Sequence, residues 1–268
     1  MTVNIKLQCS AQIQECLDWH CHHGITPTTM KKLNEEFNHF RGLFPLKVFL
    51  TGPPCSGKTH FASKLNELYG VPHYKIQDIV TMGKALKDEH GDLVKKRIEE
   101  LKDQAEADYE KTRKKKDPDF DRANFNPRLP DDILYMLVRL QLNSVGCMNK
   151  GFILEGYPRT ENDARNVFMD KVETVHDTET KVDWVVNDRI VPQYTLHFEG
   201  EDPQLLQKAK ELPPSTIEGT HWNDAGMVRR LKDYRAKNTD ASSIHGFMRS
   251  LIGPANVLSV NVTTPEVD

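Results

Sequence analysis

A glycine-rich stretch, GPPCSGKT at residues 52–59, matches the phosphate-binding pattern G-x-x-x-x-G-K-[ST]. The apolar run KVFLT precedes it, and an amphipathic segment follows. In this arrangement backbone amides and a helix N-terminus face phosphate oxygens, and Gly57 keeps a side chain away from the closest approach. Lys58 would reach the β- and γ-phosphates, and Thr59 would offer its hydroxyl to Mg²⁺. The alternative, a chance Gly-Pro turn, is disfavoured because strand, loop and helix follow in register.

The sequence therefore predicts an ATP site in this loop and the residue after it. Its predicted members are Gly52, Pro53, Pro54, Cys55, Ser56, Gly57, Lys58, Thr59 and His60. Cys55 is interpreted as a small loop residue. The alternative is a thiol whose pKa is lowered by the helix N-terminus and Lys58.

Three further segments carry motifs in a fixed order. They are LPDDILYMLVRLQL at 129–142, GFILEGYPRT at 151–160 and MVRRLKDYRAKNT at 227–239. Together with the glycine-rich loop, they resemble the adenylate kinase family over residues 46–265. The finer resemblance is to the long, cilium-associated adenylate kinase 7 type, in which a similar segment precedes the loop and the monophosphate-binding lobe carries a charged insertion.

This resemblance implies transfer of the γ-phosphoryl group of ATP to AMP, with Mg²⁺ bound beside ATP. Lys58 would neutralise charge on the transferred group, Arg159 would clamp the phosphate of AMP, and Arg230 would reach both phosphates. These three residues form the implied catalytic set. Glu155, where the family commonly has Asp, would hold Mg²⁺ together with Thr59. The implied AMP site comprises Asp78, Gly156, Tyr157, Pro158 and Arg159.

The sequence also departs from the family. The family's Ser-Thr-Gly-Asp-x-x-Arg ends in an arginine that binds the AMP phosphate, whereas KIQDIVT places Thr81 at that position. The short lid predicted at residues 212–222 contains no arginine; His221 stands at one expected arginine position, and Asn223-Asp224 replaces Asp-Asp. Loss of such arginines slows transfer where they stabilise transition-state charge. The candidates to compensate are Arg189, Arg229, Lys208 and Lys210.

Three functions therefore compete. The first is a nucleoside monophosphate kinase with reduced activity. The second is a nucleotide-binding structural pseudokinase tethered to a ciliary or axonemal assembly through protein partners. The third, a generic P-loop ATPase, is disfavoured because it has no use for the second phosphate clamp in GYPRT.

The elements that must position these residues alternate between strands and helices. This alternation predicts a three-layer α/β P-loop kinase with a central, mainly parallel sheet. We expect a helical attachment at residues 1–45 and a kinase domain at 46–268, with a charged insertion at about 78–129 in the monophosphate lobe. In this domain, Lys75 and Ile76 should close the second strand, and the chain should be helix-like for nearly 40 residues from Asp78 onward. Residues 171–193 have no clear pattern.

The boundaries of this unit carry expectations of their own. The amino-terminal MTVNIKLQCSAQ suggests the frayed end of a preceding domain, and TTPEVD stops where the family has a last helix. We therefore expect a fragment or a shortened relative, with one face of the sheet left for a partner or a missing segment.

Composition excludes several classes of function. With 28% charged residues and a net charge of −3, no strong field favours nucleic acid or an anionic membrane. The sequence has neither a membrane-spanning apolar run nor a secretory signal pattern, and its five scattered cysteines predict reduced thiols. We expect a cytoplasmic protein, with a ciliary location implied by the resemblance alone.

Two other clusters invite a chemical interpretation. Cys16, His20 and His23 could share a helix face and bind a metal, but no fourth ligand stands nearby, so a surface helix is favoured. Asp131 and Asp132 follow Pro130, which is predicted at the first helical position. They are therefore interpreted as complements to the helix dipole rather than as an acid–base pair.

Overall fold

A computed structural model describes residues 44–113, 119–176, 179–212, 224–239 and 242–262, plus residues 32, 33, 36, 37 and 40; the side chains of 173–182 are not described. The chain divides into two units, Met1–Phe44 and Pro45–Asp268. In the first unit, the five described residues at 32–40 are helical. The second unit contains the elements that follow.

The described strands are β1 (Leu46–Thr51), β2 (His73–Lys75), β3 (Gly151–Glu155), β4 (Met169–His176), β5 (Glu179–Val186), β6 (Tyr194–Glu199) and β7 (Val257–Asn261). The helices are α1 (Lys58–Tyr69), α2 (Ile76–Ala85), α3 (Glu89–Thr112), α4 (Asp131–Leu142), α5 (Val145–Lys150), α6 (Glu161–Phe168), α7 (Asp202–Lys210), α8 (Asp224–Lys237) and α9 (Ile244–Ile252). Where the structure describes the chain, no helix has the length and apolar character needed to cross a bilayer.

A five-stranded sheet in the order β2-β3-β1-β6-β7 forms the centre of the domain, and every neighbouring pair is parallel. β1 is nearly continuous in apolar residues because both of its faces are covered. Phe49 packs into a core with α2, α4, α6 and α9, whereas Val48 and Leu50 pack into a second core with α1, α7 and α8. Helices therefore cover both faces, and the predicted three-layer α/β fold is confirmed.

The segment after β1 differs in part from its prediction. Strand β2 ends at Lys75, and Ile76 begins α2. The backbone N–H of Lys75 donates to the Asp78 carboxylate (3.3 Å), which caps the first turn of α2. The stretch predicted to be helix-like from Asp78 is helical but divided in two, because the chain breaks at residues 86–88 and Asp88 caps α3 by accepting from Gly91 N (2.9 Å).

One smaller prediction also needs correction, and the structure defines two elements beyond it. Pro130 is the N-cap of α4 rather than its first helical residue, and Asp131 and Asp132 occupy the first turn. Helix α6 ends at Phe168, and Met169 starts strand β4. The unassigned stretch contains most of an antiparallel hairpin, β4–β5.

Arg139 on α4 holds the junction between α6 and this hairpin. Its Nη1 donates to the carbonyls of Asn166 (3.2 Å), Val167 (3.0 Å) and Met169 (2.8 Å), and its Nη2 donates to Asp170. These carbonyls lie at the end of α6, where the helix leaves them without partners. One guanidinium thus ends the helix and fixes the first residues of the hairpin.

In the charged insertion, Arg122 ties the connector after α3 back onto that helix. Its guanidinium pairs with Glu99 (2.8 Å), Asp103 (2.6 Å) and Glu106 (2.8 Å). The three acceptors lie on one face of α3 because they are spaced four and three residues apart.

Candidate functional site

The glycine-rich loop leaves the carboxyl end of β1 and turns directly into α1. Gly57 is the N-cap of α1 with φ 81°, in the left-handed region that favours glycine. A Cβ at Gly57 would meet only the Phe61 ring, at 3.9 Å, so the positive φ rather than crowding within the protein accounts for this glycine. Gly52 differs, since its Cβ would lie 2.6 Å from Phe198 O. The loop therefore has the tight backbone path that a phosphate cradle needs.

Lys58, the first residue of α1, folds its side chain back over the loop. Its Nζ donates to Gly52 O (3.0 Å), Pro53 O and Ser56 Oγ (3.1 Å). The pKa of Lys58 is lowered to about 8; burial is the largest cause, and the positive charges of Arg230 and Arg159 act in the same direction, while Glu155 opposes them. The ammonium group is thus held by neutral oxygens in a place where an anion would stabilise it better.

Glu155 ends β3 beside the loop, and both of its carboxylate oxygens are engaged. Oε1 accepts from Thr59 Oγ1 (2.6 Å), and Oε2 accepts from His73 Nε2 (2.7 Å). Lys75 Nζ lies 4.0 Å from the same Oε2. Burial alone would raise the pKa of Glu155, but the hydrogen bonds from His73 and Thr59 and the charge of Lys75 outweigh it, so the pKa is lowered.

The Thr59 hydroxyl and the ionised Glu155 carboxylate are the two predicted Mg²⁺ ligands, and they are in direct contact. Hydroxyl and carboxylate oxygens are donors that suit this hard cation. The residues present therefore fit Mg²⁺ by their chemistry.

The GYPRT segment begins at the same edge of the sheet. Gly156 N donates to Leu50 O on β1 (2.9 Å), and the Tyr157–Pro158 peptide is cis. The Arg159 backbone is fixed from two sides: its N–H donates to Asp163 Oδ2 (3.2 Å), and its carbonyl accepts from Asn238 Nδ2 (3.4 Å). The Arg159 side chain is exposed. An exposed guanidinium is thus carried by a backbone that is held on both sides.

Two predicted AMP-site residues, Tyr157 and Asp78, have structural roles within the domain. The Tyr157 side chain is 5% exposed and packs in the core with α4 and α6, and its hydroxyl is buried without a hydrogen-bond partner. Its contribution to a monophosphate site would therefore have to come from its backbone. Asp78 is exposed and caps α2.

Arg230, on α8, lies near both Lys58 and Arg159. Burial lowers the pKa of Arg230, the positive charge of Arg159 lowers it further, and Cys55 opposes them. The structure thus brings Lys58, Arg159 and Arg230 together, although they are separated by as many as 172 positions in the sequence. Like charges gathered in this way favour binding of a polyanion.

Cys55 has φ 60° and is half-buried. Burial raises the pKa of its thiol, and this outweighs the opposing charges of Arg230 and Lys58. The alternative of a thiol with a lowered pKa is wrong.

The sequence has relatives among known proteins. No family model matches it. It is 27% identical over 230 residues to adenylate kinase 7 of Mus musculus, covering 81% of this chain and 36% of that protein. It is 25% identical over 219 residues to adenylate kinase 7 of Macaca fascicularis, covering 80% and 41%. An adenylate kinase of Thermotoga maritima is 34% identical over 113 residues, or 42% of this chain and 40% of that enzyme.

The chain is a relative of the adenylate kinases. The resemblance predicted from the motifs, including the one to the adenylate kinase 7 type, is confirmed. The chain spans about two fifths of the length of these adenylate kinase 7 proteins, with 36% and 41% covered.

Thr81, which stands where the resemblance implies an arginine for the AMP phosphate, lies on α2. Its hydroxyl donates to Gln77 O (2.9 Å), one turn earlier in α2. This side chain therefore serves its own helix and supplies no charge.

The residues predicted to compensate are dispersed. Arg189 interacts with Lys47 at the amino end of β1, away from the loop, and Lys210 lies 3.8 Å from Asp224. Arg229 is exposed. Lys208 acts on Cys55 electrostatically but donates to Val262 O (2.6 Å). Of these four, Lys208 is the one with an interaction that reaches the loop.

Several predictions lie outside the described residues. They concern most of the lid, with His221 and Asn223, and the cluster of Cys16, His20 and His23. They stay predictions.

A second histidine cluster occurs among the described residues, at the carboxyl end of β6. Donor atoms of His197, Glu199 and His245 lie within 4.8 Å of one another, and the two imidazole rings stack at 4.4 Å with an interplanar angle of 12°. Imidazole lone pairs lie in the ring plane, so those of two parallel rings do not converge on one ion. The pKa of His197 is lowered to about 4, and that of His245 is also lowered, with burial as the largest cause in both cases. This favours a neutral stacked pair.

Four positioning residues escaped the sequence predictions: His73, Lys75, Asp163 and Asn238. His73 and Lys75 alternate on β2 and both reach Glu155. Their spacing of two residues places both side chains on one face of β2, which is a signal once β2 is placed beside β3. No pattern in the sequence indicates the contact of Asn238 with Arg159.

Proposed function

We propose that this domain transfers the γ-phosphoryl group of ATP to AMP and forms two molecules of ADP. One observation carries the proposal: Lys58, Arg159 and Arg230 act on one another electrostatically beside the glycine-rich loop. A loop for one phosphate chain and an arginine for a second phosphate serve two phosphorylated substrates, whereas ATP hydrolysis needs only the first.

In this reaction an oxygen of the AMP phosphate attacks the γ-phosphorus. The bond from that phosphorus to the β,γ-bridging oxygen breaks, and its electrons leave with ADP. Because charge spreads over the transferred group, positioning and charge stabilisation supply most of the catalysis. No protein side chain need act as a nucleophile.

The chain's own residues would share this work. Lys58 would exchange its loop carbonyl acceptors for phosphate oxygens, and Arg159 would hold the AMP phosphate with two parallel hydrogen bonds. Arg230 would place positive charge between the two. Glu155 and Thr59 would hold Mg²⁺, which, when bound, draws charge from the β- and γ-phosphates.

Thr81 bears on the rate. Its hydroxyl bonds within α2, so the cation that adenylate kinases place there is missing. We therefore propose reduced activity. The same observation favours a second candidate, a pseudokinase that binds nucleotide, turns over little and serves a ciliary assembly.

A coupled assay for ADP formation from ATP and AMP tests the first function. Arg159→Ala should lower kcat/KM for AMP at least tenfold, since a charged phosphate contact is worth about 1.5–3 kcal/mol. Arg97→Ala is the matched control, because Arg97 lies on α3 and pairs with Glu100. Unchanged turnover in Arg159→Ala would remove the proposed monophosphate site.

Calorimetry, which measures nucleotide binding, together with the coupled assay separates the kinase from the pseudokinase. A kinase binds both ATP and AMP and forms ADP. The second candidate binds ATP and yields no ADP above the level of a Lys58→Met variant.

A further inference from the structure

Lys75 stands where adenylate kinases have the serine of Ser-Thr-Gly-Asp, and it adds a positive charge at the carboxyl end of β2. In the sheet register Lys75 pairs with Glu155 of β3, and Glu155 pairs on its other side with Leu50, near the carboxyl end of β1. Parallel strands present their carboxyl ends at one edge. Lys75 therefore emerges at the same edge as the glycine-rich loop.

The Lys75 ammonium lies close to the site without being fully committed. Its Nζ is 4.0 Å from Glu155 Oε2, longer than a hydrogen bond, and its side chain is 38% exposed. That oxygen already accepts a 2.7 Å hydrogen bond from His73. The ammonium can therefore exchange Glu155 for a stronger anion with little loss.

We propose that Lys75 binds the phosphate of the acceptor nucleotide and supplies the cation that is missing at position 81. This inference rests on the proposed function. The charge has moved from the second turn of α2 to the residue that caps this helix, six positions earlier. Capping fixes the Lys75 backbone through Asp78, while four methylenes leave the ammonium free to follow the phosphate.

The proposal predicts a split between substrates, which a purely structural pairing with Glu155 would not give. Lys75→Met should raise KM for AMP about tenfold to a hundredfold, the range for loss of one charged hydrogen bond, and leave KM for ATP within about twofold. Lys75→Arg should stay close to the parent. Thr81→Arg placed in the Lys75→Met chain should restore most of the affinity for AMP.

Lys84→Met is the matched control, because Lys84 lies on α2 and its Nζ donates to Asn126 Oδ1 (2.9 Å). KM for AMP in this variant should stay within about twofold of the parent. An equal rise in both KM values for Lys75→Met, or no rise, would overturn the proposal. So would failure of Thr81→Arg to recover binding of AMP.

Calorimetry with AMP and with adenosine distinguishes this inference from the proposed function. Loss of AMP affinity in Lys75→Met, with adenosine binding unchanged, supports the role of Lys75 even in a chain that forms no ADP. Turnover that is insensitive to Lys75 would leave the kinase function standing and remove the inference. A parent chain that binds no AMP would remove both.

Discussion

Binding of ATP should draw a proton from solution, because Lys58 is only partly charged when its partners are neutral carbonyls. Its pKa in the free domain is about 8, against an ordinary value of 10.5, with burial as the largest cause. A triphosphate places several negative charges beside the ammonium and returns its pKa towards or above the ordinary value. Lys58 should therefore be fully protonated in the complex.

The size of the uptake follows from the pKa of the free domain. With that pKa at about 8, Lys58 should take up ~0.1 proton at pH 7, ~0.5 at pH 8 and ~0.9 at pH 9. Affinity for ATP should correspondingly fall as the pH rises above 8.

Calorimetric titration with ATP at pH 8, in buffers that differ in ionisation enthalpy, measures this quantity directly. The slope of observed enthalpy against buffer ionisation enthalpy is the number of protons taken up. Lys58→Arg is the control, since guanidinium stays charged throughout this range. A slope near zero in the parent, or the same slope in both proteins, would refute the account of Lys58.

The same lowered pKa affects stability with a definite sign. A lysine whose pKa falls on folding destabilises the folded state fully below pH 8, and this penalty fades as the pH rises to 10.5. The lowering of about 2.5 pH units corresponds to roughly 3 kcal/mol. The free energy of unfolding of the parent minus that of Lys58→Met should rise by up to this amount between pH 7 and 10.5. Denaturant titrations at both pH values measure it.

Three substitutions test the scaffold, each by chemical denaturation. Tyr157→Phe should be neutral or stabilising by about 1 kcal/mol, because it removes a buried hydroxyl without a partner; a loss above 2 kcal/mol would contradict this. Arg139→Met should destabilise by roughly 2–4 kcal/mol, since it leaves carbonyls and Asp170 unpaired, whereas a neutral result would show that the junction holds without it. Gly52→Ala should destabilise by about 2–4 kcal/mol because its Cβ would meet Phe198 O at 2.6 Å; full stability would mean that the loop can shift.

The sequence predicts the first strand–loop–helix unit of the domain well because the local signals there agree. The apolar run of β1, the glycine pattern and the amphipathic α1 each indicate the same unit, and the structure has strand, loop and helix in that order. The sequence predicts that Ile76 closes strand β2, because an apolar residue after a short strand extends the strand pattern. It begins α2 instead, since the Asp78 side chain caps the first turn of that helix.

The hairpin and the break in the long helix are harder to read from sequence. Among the described strands, β4 and β5 pair only with each other, so no continuous apolar face is required, and Val172 and Val185 are substantially exposed. The break before α3 contains neither Gly nor Pro. Its cap, Asp88, lies in a highly charged run where one more acidic residue carries no distinct signal.

The candidate site divides in the same way. Lys58, Arg159 and Arg230 belong to motifs whose spacing is set by local chain geometry. His73 and Lys75 reach Glu155 only because β2 lies beside β3 in a particular register. Partners across a sheet depend on pairing between distant segments, which one sequence does not reveal.

The amide of Asn238 has a mechanical consequence. Its oxygen accepts a hydrogen bond from Ile244 N (3.1 Å), and its Nδ2 donates to Arg159 O (3.4 Å). Asn238 itself directly follows α8, the helix that bears Arg230. Asn238 thus links the segment that bears Arg159 to the end of the helix that bears Arg230, so a movement of one segment is transmitted to the other. The spacing between the two main-chain segments is therefore set by contacts within the protein itself.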